Sequence, residues 1–318
     1  MNDQPIAFAT SEFIGLLATD GRLVTRFRSA FRENDIGFHF TGLSWQADRQ
    51  GLLYGGHQAR RWTHLFHSNL DGSQQRRLFP PEGAGPPALH SPACAADGRR
   101  IAFVVGTGAD AHEIEIHDLS SGTRERLRSR DATEALASPT WLGSGNRLAL
   151  LRSVYRRAPE APAIYESSRL EVHDLRAGAP QPLLAAAGHE VLQQIRAAPD
   201  GRRLALLRRR ELELLGGRTY SEWTQGIANP RHAEYLRKIT RQLHPFPLEQ
   251  RSLNVYDLGL REERTIFRGA AEAFDWSPQG DLLACTDGTA IWLIQENVQP
   301  VPLYRCENDE IRALAWAN

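Results

Sequence analysis

Three side chains that do chemistry recur at one register of a repeated pattern. His90 offers an imidazole for proton transfer or metal ligation. Arg312 offers a planar guanidinium that clamps a carboxylate through two parallel hydrogen bonds. Glu272 offers a carboxylate, as a base, a ligand, or the partner of Arg312. Each stands four residues before the position that ends an inner strand in its repeat, and the same count gives Thr41, Ala137 and Gln193 in the other repeats. Two residues further on, the positions are Leu43, Pro92, Pro139, Ile195, Phe274 and Leu314. The first set is mostly polar and the second uniformly apolar, as expected of a ring in which one register faces a solvated mouth and the next packs between repeats.

The elements that must carry these residues follow from the repeats. Asp275-Trp276-Ser277-Pro278-Gln279-Gly280 runs into Leu282-Leu283-Ala284, which reads as strand, tight turn, strand. Trp45, Cys94, Trp141 and Ala197 head similar stretches, and Trp316 begins a sixth at the end of the chain. Asp-Gly pairs at the turns favour the positive φ that a two-residue hairpin needs. A second half-motif follows most copies: Ile116-His117-Asp118-Leu119, Val172-His173-Asp174-Leu175 and Val255-Tyr256-Asp257-Leu258. Four antiparallel strands per repeat, at roughly 40 residues, is the blade of a β-propeller. The terminal copy lacks outer strands, and Ile6–Phe8, Phe13–Leu17 and Arg22–Thr25 lack an inner one. Joining them closes the ring and removes free sheet edges. The expectation is an all-β, six-bladed propeller filling residues 1–318 as one domain.

Two long connections between second and third strands, Ser153–Ser168 and Arg209–Arg251, are expected on the same face as the polar register. The second is expected to be partly helical, with Tyr235, Ile239 and Leu243 spaced along one helix face. Arg156, Arg157, Tyr220 and Trp223 lie in these connections and suit an anionic, ring-containing ligand. His117 and His173 share a repeat position and are expected to be structural.

Composition narrows the function. With 41% hydrophobic and 24% charged residues, the chain can bury a large core. Its formal net charge of +0 argues against general binding to nucleic acid or a membrane surface. No apolar run is long enough to span a bilayer. Cys94, Cys285 and Cys306 have no metal-ligand spacing and read as buried, reduced thiols. No signal segment is apparent before Ile6. These features predict a cytoplasmic protein.

The repeats resemble the WD40-like repeats of TolB-type propellers, whose inner turn is Trp-Ser-Pro-Asp-Gly; Trp276–Gly280 matches with Gln279 in place of Asp. Leu23–Phe27, Leu52–Gly56, Trp62, Leu70, Trp141, Arg156-Arg157 and Leu170–Leu175 are also similar to the oligogalacturonate lyases. That resemblance implies cleavage of oligouronides by β-elimination, with a histidine base, an arginine and a divalent metal, manganese. The lyases have seven blades, and their metal-binding His-x-His is replaced here by Ala273-Phe274-Asp275-Trp276. Three functions stay open: a propeller that binds, and acts on, a small uronate-like anion at the channel mouth; a scaffold for a protein partner on the same face; or a TolB-like envelope component whose signal segment has been removed, against which the missing signal counts.

Overall fold

The computed structural model describes residues 4–29, 38–58, 62–79, 88–106, 112–130, 133–143, 145–156, 164–176, 178–212, 219, 249–307 and 309–317. Its strands form six four-stranded antiparallel sheets. Blade 1 takes its three outer strands from the N-terminus: β1 (Ile6–Ala9), β2 (Ile14–Leu17) and β3 (Leu23–Phe27). Blade 2 is β4 (Phe38–Trp45), β5 (Gly51–Gln58), β6 (Trp62–Asn69) and β7 (Gln75–Phe79). Blade 3 is β8 (Ala88–Cys94), β9 (Arg100–Gly106), β10 (His112–Asp118) and β11 (Arg124–Leu127). Blade 4 is β12 (Glu134–Leu142), β13 (Arg147–Arg156), β14 (Ile164–Asp174) and β15 (Gln181–Ala187). Blade 5 is β16 (Glu190–Ala197), β17 (Arg203–Glu211), β18 (Glu249–Asp257) and β19 (Glu262–Arg268). Blade 6 is β20 (Ala273–Trp276), β21 (Leu283–Thr286), β22 (Ala290–Ile294) and β23 (Val301–Arg305). The last strand, β24 (Ala313–Trp316), completes blade 1 by pairing with β1, Ile6 opposite Trp316 and Ala9 opposite Ala313. The six-bladed reading and its closure by both termini therefore hold.

The hairpin turns do what their residues dictate. Gly98 and Gly280 sit at φ 69° and 71°, where a side chain would be strained. The apolar strands pack blade against blade. Six buried clusters fill the six joints; one sets Phe27 and Leu16 of blade 1 against Phe40, Tyr54 and Phe66 of blade 2. Another sets Ile114 and Ile116 against Trp141 and Leu148.

Each joint also carries a hydrogen bond across the innermost strands. Indole Nε1 of Trp45, Trp141 and Trp276 donates backwards to the carbonyls of Ala315, Ala93 and Arg196, at 3.0, 3.0 and 3.1 Å. The residue before each of these tryptophans accepts forwards. Ser44 Oγ receives Cys94 N at 3.2 Å, Thr140 Oγ1 receives Ala197 N at 3.0 Å, and Asp275 Oδ2 receives Trp316 N at 2.9 Å.

Two expectations change in detail. Residues 153–168 are mostly strand, because β13 runs to Arg156 and β14 resumes at Ile164. Ladder bonds continue to the Arg156–Ile164 pair, so both strands extend well past Ser153 and Ser168. The helix expected over 231–243 lies outside the described residues.

Candidate functional site

All six inner strands begin at one end of the axial channel, here the upper end. Four of them carry an irregularity there. The ladder shifts at Phe40/Gly42, His90/Ala93, Ala137/Thr140 and Leu192/Gln194. Ser91 and Ser138 occupy left-handed backbone at φ 52° and 53°. A bulge adds a residue and re-aims its neighbours, and strained non-glycine backbone costs of order 1–3 kcal/mol. At Ser138 the side chain offsets part of that cost, since its hydroxyl accepts Ile195 N of the next blade at 2.9 Å.

Behind these bulges lies a cavity of about 430 Å³, lined by Thr41, His90, Ala137, Gln193, Glu272 and Arg312 together. One strand start from each blade thus contributes one of the six same-register residues. Arg251, Arg196, Gln194, Ser91 and Ser138 also line it. Gly55 makes room for the wall: a Cβ there would stand 2.2 Å from Thr41 Oγ1. That hydroxyl is fully buried and has no hydrogen-bond partner among the described residues.

The electrostatics follow from the partners. His90 Nδ1 lies 3.0 Å from Ser91 Oγ, and its ring meets His112 edge to face at 5.4 Å. Burial, helped by the neighbouring His112, pulls the His90 imidazole down to about 4. It is therefore neutral at pH 7. The Glu272 carboxylate is held by Arg251 Nη1, not by Arg312 as one expectation had it. Arg251 is fixed in turn by Glu249 Oε1, at 2.9 and 2.6 Å, and by the carbonyl of Ala271 at 3.1 Å. Arg312 has Glu310 Oε2 at 3.3 Å. The reason is topological: β18 and β20 bring residues 251 and 272 together across the blade 5–6 joint, whereas Arg312 stands beside the loop ahead of β24.

Arg156 ends β13 at this end of the channel; its side chain lies outside the described residues, as do Arg157, Tyr220 and Trp223 altogether. Among the described residues no three His, Cys, Asp or Glu side chains cluster closely enough to hold a metal ion. A manganese site of the lyase kind does not fit this wall, because His90 faces His112 and Ser91 while Glu272 is engaged by Arg251.

Counting by fours missed Arg196. It sits one residue before the strand-ending position, deep in the channel, and lines both the upper cavity and a second cavity at the lower end. Its guanidinium donates one hydrogen bond, from Nη1 to its neighbour's carbonyl, Ile195 O, at 3.1 Å. Asp275 of the next blade is the nearby counter-charge. Both Asp275 oxygens already accept backbone N–H groups, those of Trp276 and Trp316, each at 2.9 Å. Burial pushes the Asp275 carboxyl up, and Arg196 opposes that shift. A signal for Arg196 existed: of Ser44, Ala93, Thr140, Arg196, Asp275 and Ala315, only two adjacent blades place a charge there.

His117 and His173 pair with the carboxylate two residues before them, Glu115 and Glu171. Each pair lies within a single strand, β10 or β14, the third of its blade and away from the channel.

Residues 65–220, just under half the chain, match the model of a family described as the Lipoprotein LpqB beta-propeller domain. TolB from Acinetobacter baumannii superposes at a TM-score of 0.63 with 16% identity, over 99% of this chain and 66% of that one. The chain thus spans less than two thirds of that TolB's length. A chain of a nidogen/laminin complex also gives 0.63, at 9% identity, covering 99% and 98%. Oligogalacturonate lyase in complex with manganese gives 0.48 at 12% identity over 96% and 86%, a likeness too low to carry its activity here. No curated protein matches. The expectation of a cytoplasmic protein is corrected by the family match, since a lipoprotein's propeller domain points to an extracytoplasmic setting. Repeat pattern, ring closure and structural neighbours agree that the chain is a six-bladed β-propeller, a fold it shares with TolB.

Proposed function

We propose that the chain is a ligand-binding propeller that holds a small, uronate-like anion at the upper channel mouth. One observation carries the reading. Arg196, Arg251 and Arg312 line one cavity whose lining carboxylate is Glu272, their other counter-charges, Asp275, Glu249 and Glu310, standing outside that lining, and the adjacent His90 adds no charge at neutral pH. Such a wall favours an anion, and a guanidinium fork suits a carboxylate best. Thr41, Gln193 and Gln194 supply donors and acceptors for sugar hydroxyls. The connections beyond β13 and β17 leave from this end, as the pairs Glu134–Val154 and Glu190–Arg210 require. They are proposed to wall the mouth and bring Arg156, Arg157, Tyr220 and Trp223 to it.

Turnover is the finer claim. In a β-elimination, His90 takes the proton next to the carboxylate, the C–H electron pair becomes the double bond of the sugar, and the bond to the leaving oxygen breaks as that oxygen takes a proton from water and departs as an alcohol. The test is digalacturonate binding by calorimetry, with ultraviolet absorbance to detect the unsaturated product. Arg312→Ala should weaken binding by about 1.5–3 kcal/mol, the scale of a charge-assisted hydrogen bond. His90→Ala should spare binding and abolish turnover. Absence of saturable binding to the wild type favours the second reading, a scaffold for a protein partner. The structural neighbour in a nidogen/laminin complex supports that reading.

A further inference from the structure

The lower end of the channel is a different kind of place. Each inner strand gives its first residues to the upper cavity and its last to the lower one. The lower cavity, of about 260 Å³, is lined by Leu43, Trp45, Pro92, Ala93, Pro139 and Trp141 among others. Its charges are Arg196 and Asp275, which balance. Their capacities to bind are unequal. Both Asp275 oxygens are engaged by backbone N–H groups. Arg196 has five N–H donors and spends one. A half-buried guanidinium with unspent donors, in a slot whose walls include the indoles of Trp45 and Trp141, suits an acceptor that is charged on one end and apolar on the other.

We propose that the lower cavity is a second binding site, for a slender apolar monocarboxylate whose carboxylate meets Arg196 from below while its tail lies between Trp45 and Trp141. Arg196 is shared with the upper cavity, so one guanidinium serves two mouths. An anion drawn to it from above leaves it unavailable from below, and the two ligands exclude each other without touching. This exclusion rests on the proposed function of the upper mouth; the lower site does not.

Tryptophan emission reads the lower site selectively. Trp45, Trp141 and Trp316 line it, no tryptophan among the described residues lines the upper cavity, and Trp223, proposed for the upper mouth, is replaced by Phe in the protein followed. Hexanoate should shift the emission of the full chain saturably, and hexanol should bind about tenfold more weakly. Arg196→Gln should weaken hexanoate about tenfold or more, the equivalent of one charge-assisted hydrogen bond. Because that change removes the counter-charge of buried Asp275, a second variant avoids the core. Ala96 is exposed in the hairpin turn at the lower mouth. Ala96→Glu sets a like charge there and should weaken hexanoate roughly threefold. Arg312→Ala should leave hexanoate binding intact. Saturating galacturonate should raise the apparent hexanoate dissociation constant. Equal binding of hexanol and hexanoate, no saturable shift, or loss on Arg312→Ala rather than Arg196→Gln would overturn the lower site. Simultaneous, independent binding of both ligands would overturn the sharing. If galacturonate binds nowhere, the upper reading falls and exclusion with it, while the hexanoate results alone decide the lower site.

Discussion

Replacing Arg152 by Met should cost the fold about 3–5 kcal/mol at pH 7, because it leaves buried carboxylates short of a cation. Arg152 is 3% exposed. Its Nε lies 3.1 Å from both oxygens of Glu171, and its Nη1 lies 2.7 Å from Glu134 Oε2. The two glutamate side chains are 2% and 8% exposed, so water does not replace the lost partner. Arg169 compensates only in part. Its Nε approaches Glu171 Oε1 at 2.6 Å as an ion pair without hydrogen-bond alignment, and its Nη2 is 3.7 Å from Glu134. The pH dependence has a definite sign. Burial raises the Glu171 carboxyl, but His173, Arg152 and Arg169 outweigh it and hold the group at about 2. A carboxylate depressed in the folded state stabilises above its ordinary pKa, and that contribution is lost as pH falls through the folded value. Without Arg152 the folded pKa rises, the carboxyl takes up a proton in mild acid, and the penalty shrinks. Urea unfolding followed by tryptophan emission should therefore show a large gap between wild type and variant at pH 7 and a smaller one at pH 4. A gap under about 1 kcal/mol at pH 7, or one that widens in acid, would refute the buried-network account.

Three further outcomes follow from the same geometry. Deleting residues 309–318 removes β24 and the Asp309 carboxylate that receives Ser11 Oγ at 2.6 Å and Glu12 N at 3.1 Å; the truncated chain should lose cooperative thermal unfolding, and an unchanged melt would contradict the closure. Gly55→Ala forces the Thr41 hydroxyl, 2.2 Å from the new Cβ, out of place; it should destabilise by about 1–3 kcal/mol and weaken anion binding, and a neutral result would mean the wall can yield. The His90 ring should titrate near 4 rather than 6.5 by NMR. Because the unfolded chain takes that proton first, stability should fall as pH drops from 6.5 to 4, a slope that His90→Gln should flatten.

The fold was legible because each blade repeats its own instructions. The Trp and Asp-Gly positions mark where inner strands end and turns begin, and the orphan half-blades at the two termini complete each other. The six residues of the polar register fall on one cavity although plain alternation would set residues four and two before the strand end on one face. The bulges reconcile the two, and Ser91-Pro92 and Ser138-Pro139, repeated in adjacent blades, are their trace in the sequence. Partnerships were not legible. Glu272 lies 40 residues from Arg312 and 21 from Arg251, and only the packing of blade 5 on blade 6 decides between them. Arg196 escaped because its register holds small residues or hydroxyls in four of the six blades.

The joints of the ring are of two kinds, and they alternate. Blades 2, 4 and 6 present an indole to the blade behind and a side-chain oxygen to the blade ahead; blades 1, 3 and 5 present backbone groups on both sides. The ring therefore has approximate threefold symmetry with a pair of blades as its unit. Such a pattern closes only for an even number. A joint without such a bond would arise only where two blades of the second kind met, so every second blade must carry the indole and the oxygen for all six joints to be bridged. The transverse bonds at all six joints therefore depend on the side chains of three blades, two joints to each.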